Sequence, residues 1–117
     1  MAASAAEPTR WPRYTLQQVS QHCRKDDAWI VVGDCVYDIT PHVVNHEGWT
    51  EGGKQSTLLA ILCAMGQDCT DDFTEVHSDA AMRMLPPFQI GVLDKPNTSS
   101  RRMRFRTWEQ LEEAGAV

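Results

Sequence analysis

The sequence predicts a single α+β domain. Short apolar strands stand near both ends of residues 13–94, several short capped helices lie between them, and 117 residues leave room for one compact domain and little else. A 42% hydrophobic content supplies a modest core. A domain of this size is marginal on surface-to-volume grounds, which leaves space for a cofactor to complete that core.

Residues 1–12 mix alanine, proline and charge without periodicity and read as a loose leader. Thr15-Leu16-Gln17-Gln18 fits a capping box, with Thr15 as N-cap and Gln18 three residues on, and opens a short helix. Ala28–Val32 and Cys35–Ile39 read as strands joined by a turn at Gly33-Asp34. Thr40-Pro41 then starts a helix, with threonine as cap and proline at the first helical position. Gly48, Gly52 and Gly53 interrupt the pattern. Ser56 or Thr57 caps a helix whose apolar stripe is Leu58, Ile61, Leu62 and Met65, and Gly66 ends it. Asp68 to Thr74 reads as a further short helix around Phe73. Ser78-Asp79 caps one more, which runs to Leu85 and stops at Pro86-Pro87. Phe88–Leu93 is a closing strand.

Residues 95–117 form a charged C-terminal tail. It opens on the turn formers Lys95-Pro96-Asn97-Thr98-Ser99-Ser100. Arg101, Arg102, Arg104 and Arg106 follow, interleaved with Met103 and Phe105, and Thr107–Gln110 is a second capping-box match. This composition predicts disorder with an occasional helix.

The formal net charge of −5 and pI near 5.2 argue against a general nucleic-acid binder, which needs a basic footprint, and suit a basic protein partner instead. The longest apolar run, Leu58 to Met65, is far short of the roughly 20 residues that cross a bilayer. The start lacks the basic-then-apolar order of a secretory signal. The expectation is a soluble, cytoplasmic monomer with no transmembrane anchor. Cys23, Cys35, Cys63 and Cys69 are then reduced thiols; no pair has CxxC spacing, and His22-Cys23 alone is a poor start for zinc. With no Ser/His/Asp constellation, phosphate loop or acid pair, the chain is not expected to be an enzyme in its own right.

His46 follows one short helix and His77 precedes another capped one, each beside apolar residues. Haem iron has two axial positions on opposite faces of a flat ring, and two neutral imidazoles fill them. Leu58, Leu59, Ile61, Leu62, Phe73 and Met84 could line a slot between them. On spacing alone the ordinary reading, a surface or capping residue at each histidine, has the better claim.

A resemblance reverses that balance. Trp29-Ile30-Val31-Val32-Gly33-Asp34-Cys35-Val36-Tyr37-Asp38-Ile39-Thr40 looks like the strand pair that opens the cytochrome b5 domain, with His46 at the offset of the family's first axial ligand. Residues 61–80, Ile61-Leu62-Cys63-Ala64-Met65-Gly66 through Phe73-Thr74-Glu75-Val76-His77-Ser78-Asp79-Ala80, are similar to the second half, especially in the haem domain of nitrate reductases. Phe88–Leu93 resembles the closing strand. The resemblance covers residues 13–94. It implies a small mixed sheet with short helices forming a pocket for non-covalent haem b, His46 and His77 as metal ligands, and a one-electron carrier. The implied donor is a flavin-dependent reductase, and the acceptor protein is unknown. By position, Ile30, Val32, Ile39, Phe73, Val76 and Met84 line the pocket, and Ser78 falls where a side chain bonds a haem propionate. A haem-independent interaction module and a haem sensor on the same scaffold are the alternatives.

The sequence departs from the family pattern in three places. His-Pro-Gly-Gly reads His46-Glu47-Gly48-Trp49 here. The ligands are 77 − 46 = 31 residues apart, wider than usual by about two helical turns, or ~12 Å at 1.5 Å per residue. His42, four residues before His46 on the same helical face, stands where relatives carry an aromatic near the haem; its offset from Thr40 is wrong for a ligand. Asp68, Asp71, Asp72, Glu75 and Asp79 bracket His77, and Glu47 and Glu51 follow His46. They read equally as a solvated face or as a ring that steers a basic partner.

Overall fold

The Gly33-Asp34 turn organises the sheet. Both residues have positive φ, 61° and 68°, the geometry of a tight hairpin whose twist matches its strands. In the computed structural model, which describes residues 11–45, 61–76 and 82–116, this turn joins β3 (Asp27–Val32) to β4 (Cys35–Asp38). Before them come β1 (Arg13–Tyr14), α1 (Leu16–Ser20) and β2 (Cys23–Arg24). After them come α2 (Thr40–Asn45), helical residues 61–64, α3 (Thr70–Val76), a 3-10 turn (Pro86–Phe88), β5 (Gln89–Leu93) and α4 (Trp108–Glu113). The five strands lie in the order β1-β5-β4-β3-β2. β1 runs parallel to β5, and every other pair is antiparallel, so the sheet is mixed. β1 and β2 escaped the sequence reading because two residues carry no alternation to detect.

Each strand sends successive side chains to opposite faces. Ile30, Val32, Tyr37 and Ile39 join Val43, Leu62, Met65 and Leu85 in the main buried cluster. Val31 and Val36 join Val19 and Leu93 in a second one. Trp29 covers that second side, with Tyr14 edge-on at 4.9 Å between ring centroids and His22 stacked at 3.6 Å. Because both faces are covered, β3 reads as one apolar run without alternation.

Local signals account for the short helices. The Thr15 hydroxyl accepts from the Gln18 backbone N–H, and the Gln18 side chain takes the Thr15 N–H in return. The helical residues 61–64 bury Leu62 and Cys63 and stop at Gly66, whose φ of 79° favours glycine. A Cβ there would also lie 2.9 Å from the Cys23 Cβ, so Gly66 lets β2 approach closely. The expected caps at Ser56, Thr57, Ser78 and Asp79 lie outside the described residues. Among the described residues no helix is long and apolar enough to cross a membrane.

The tail is not disordered. Its capping box forms at Thr107 and Gln110, and α4 drives Leu111 into the main cluster, with Ala116 beside it; both are fully buried. Lys25 donates its backbone N–H to the Ala116 carbonyl at 2.9 Å. Three apolar anchors, Met103, Leu111 and Ala116, hold it to the domain, and they are too widely spaced to register as a stripe in the sequence.

Leu111→Ala should therefore destabilise the protein by about 3 kcal/mol, the usual range for emptying a buried leucine site. The expected readout is a lower urea midpoint at unchanged slope.

The core also sets an alkaline limit. Burial, helped by the neighbouring carboxylates of Asp68 and Asp72, pushes the Cys69 thiol from its usual 9.0 up to about 12. Burial, then the Cys35 thiol, pushes Tyr37 from 10.0 to about 12. The folded state holds both protons longer than the unfolded chain does. Their contribution is thus fully present below pH 9 and lost as pH rises from 9 through 12. Urea midpoints should be flat from pH 7 to 8.5 and fall above pH 9, and Cys69→Ala should make the fall shallower.

Candidate functional site

The same three-residue device heads two helices. In Asp38-Ile39-Thr40 the Asp38 carboxylate accepts from the Thr40 backbone N–H at 3.0 Å and from its hydroxyl at 2.6 Å. In Asp68-Cys69-Thr70 the Asp68 carboxylate accepts from the Thr70 N–H and hydroxyl at the same two distances. Each threonine oxygen then accepts a backbone N–H from the β3 strand or its turn: Ala28 gives its N–H to Thr40 at 2.8 Å, and Gly33 gives its own to Thr70 at 2.9 Å. α2 and α3 are thus pinned at opposite ends of one strand. The aspartates cap these helices, where the sequence had suggested Thr40 itself.

In sequence, α2 ends at Asn45, one residue before His46, and α3 ends at Val76, one residue before His77. His46, His77, Ser78, Leu58 and Leu59 lie outside the described residues. His42 sits on α2 and Val76 on α3. Of the other expected pocket residues, Ile30, Val32, Ile39 and Leu62 are buried in the main cluster, and Phe73 on α3 is partly buried against it. Ile61 packs there in the same way. Met84 is the exception: it is 69% exposed, in the turn that precedes Pro86.

The acidic residues before His77 are neither a uniform solvated face nor a free ring. Asp68 is buried and carries four hydrogen bonds: two from Thr70, one from the Asn97 side-chain amide at 2.6 Å and one from Arg101 Nε at 3.1 Å. Arg101 also pairs with Asp34 in the hairpin turn. Arg102 pairs with Glu75 and reaches Asp72 at 3.8 Å. The Arg102 guanidinium, chiefly by hydrogen bonding, holds the Glu75 carboxyl below its usual range. Asp72 also accepts the Met103 backbone N–H at 2.7 Å. The tail's arginines therefore satisfy three of the acids expected to face a partner. Sequence reading missed these pairs because their members are 27 to 67 residues apart.

Ile30, Val32, Ile39, Leu62 and Phe73 make an apolar lining on one side of the sheet, flanked by two pinned helices that each precede a histidine in the sequence, and such a lining is what a flat apolar ring would need. Residues 15–94 match the Cytochrome b5-like Heme/Steroid binding domain. Nitrate reductase [NADH] 1 of Phaseolus vulgaris is 41% identical over 80 residues, which is 68% of this chain and 8% of that protein. Cytochrome b5 isoform B of Arabidopsis thaliana is 32% identical over 93 residues, 79% of this chain and 63% of that one. In structure, cytochrome b558 of Ectothiorhodospira vacuolata, a prokaryotic homologue of cytochrome b5, superposes with a TM-score of 0.55 at 36% identity, covering 71% of this chain and 99% of that one. The chain thus corresponds to a small part of the nitrate reductases and to a whole cytochrome b558. It belongs to the cytochrome b5 family, as a domain of the kind that carries non-covalent haem b in electron transfer.

Proposed function

We propose that this chain is a one-electron carrier whose haem iron is held between the imidazoles of His46 and His77. One observation supports this reading above the rest: each of the two helices pinned to β3 runs straight into one of these histidines. Bound haem would supply a reversible one-electron iron couple, and with both His46 and His77 holding it the iron would offer no site to oxygen.

The chain's own residues set the conditions of that couple. Ile30, Val32, Ile39, Leu62 and Phe73 form the apolar bed and exclude water from the ring, which raises the weight of every nearby charge. Val76, next to His77, and Leu58 extend that lining, and Met84 sits at its wet edge. The Ser78 hydroxyl would bond a haem propionate, and His42 would pack beside the haem and leave ligation to His46. The added residues between Trp49 and Ile61 would enlarge the loop beside the pocket and leave both ligand positions intact. The donor is a flavin-dependent reductase, and the acceptor is a further protein; the chain itself transforms no substrate. Four free thiols suit a reducing compartment such as the cytoplasm, where a soluble monomer would shuttle between partners.

Reconstitution with haem tests this directly. The ferric and ferrous chain should give six-coordinate low-spin absorption spectra that carbon monoxide leaves unchanged. His46→Ala and His77→Ala should each abolish that spectrum, and His42→Ala should keep it. High-spin or carbon-monoxide-binding iron would favour a sensor, and absence of haem uptake an interaction module.

A further inference from the structure

The C-terminal segment that follows the family match holds α3 in place. Asp68 heads α3, and its two carboxylate oxygens are divided between two tasks. Oδ1 takes the Thr70 N–H and hydroxyl, which starts the helix. Oδ2 takes the Asn97 amide and Arg101 Nε, both from beyond residue 94. Arg101 spans two elements with one planar fork, since its terminal nitrogen reaches Asp34 while Nε reaches Asp68. It therefore ties the β3–β4 turn to the head of α3. Asn97 repeats the tie, giving its backbone N–H to Asp34 at 3.3 Å and its side-chain amide to Asp68. The Arg101 carbonyl accepts the Asp71 N–H at 3.1 Å, a third bond onto the first turn of α3.

Burial separates this cluster from its neighbour. The Asp68 side chain is 4% exposed and that of Arg101 25%, whereas Arg102 and Glu75 are 54% and 55% exposed. An ion pair in water is screened and adds little; a buried carboxylate that loses its partner is left without hydration. Arg101 and Asn97 thus fix a geometry, and Arg102 does not.

We propose that Asn97 and Arg101 are positioning residues for haem ligation: by holding Asp68 they set the head of α3 and, through that helix, the His77 imidazole that follows it. The proposal rests on the reading of His77 as an axial ligand. Groups that orient a metal's ligands typically change its retention by 10- to 100-fold when removed.

The test uses the full chain loaded with haem, with apomyoglobin as the haem acceptor and all rates taken well below each variant's melting temperature. Asn97→Ala and Arg101→Ala should release haem about tenfold faster than the unaltered chain, with altered g values in the ferric low-spin electron paramagnetic resonance spectrum, which report ligand orientation. Arg101→Lys, which keeps the charge but loses the fork, should fall between. Arg102→Ala should match the unaltered chain. If Arg101→Ala fails to fold, Asn97→Ala decides, because it removes one amide and leaves the ion pair. Unaltered release rates and g values in Asn97→Ala and Arg101→Ala, even with lower melting temperatures, would overturn the proposal. If the unaltered chain takes up no haem, the carrier reading falls as well; if it binds haem and only the variants fail to respond, the carrier reading stands alone.

Discussion

A strand in the middle of a sheet has hydrogen-bonding groups at its ends that its neighbours do not reach, and in this protein two threonine hydroxyls take them. Thr40 accepts from Ala28 and Thr70 from Gly33, each while donating to an aspartate two residues earlier. Ala28 is fully buried, so its N–H must be satisfied within the protein, and the partner is the head of a helix; the exposed Gly33 adds a second bond of the same kind. The position of α2 follows from that requirement, and α3 is tied to the turn at the other end of the strand. Both elements that lead to the candidate ligands are referenced to the same strand, so their separation is set by the length of β3. A site that binds one ring between two helices needs such a common reference.

Charge does two different jobs along the Asp68–Glu75 stretch. At Asp68 the carboxylate is out of water and its arginine is part of the architecture. At Glu75 both partners are in water, and their attraction is screened, so the pair presents little resistance to a visiting protein. A net charge of −5 is therefore a poor guide to the surface a partner meets. Asp71 keeps the first turn of α3 acidic, while Asp72 and Glu75 are already answered by Arg102 and the Met103 backbone. Whatever basic partner approaches that side finds a surface of mixed sign.

What could be read from the sequence was what is decided locally. The two capping boxes, the Gly33-Asp34 turn and the stop at Gly66 stand where the pattern put them, and the strands expected at 28–32 and 88–93 stand at Asp27–Val32 and Gln89–Leu93, because each depends on residues within a few positions of one another. Ile30, Val32 and Ile39, singled out by family likeness, are buried in the main cluster. The paired Asp-x-Thr boxes were visible as letters, but their meaning was not, because the accepting hydroxyl is 12 residues from one donor and 37 from the other. The tail was misjudged for the same reason. Arg101 has no local role; its partners stand 33 and 67 residues back. Composition weighed its arginines as solvent-seeking, and only tertiary structure turns one of them into a tie.

The late position of Leu111 and Ala116 in the core bears on synthesis. Ribosomes release a chain from its N-terminus at ~5–20 residues per second. Every strand of the sheet is therefore outside before the segment that closes the main cluster has emerged. For that interval the nascent domain exposes the apolar recess that α4 will cover and carries Asp68 without its arginine. Contacts that span so much sequence also form slowly. This domain thus passes through a stage in which an exposed greasy hollow can attract chaperones or other chains.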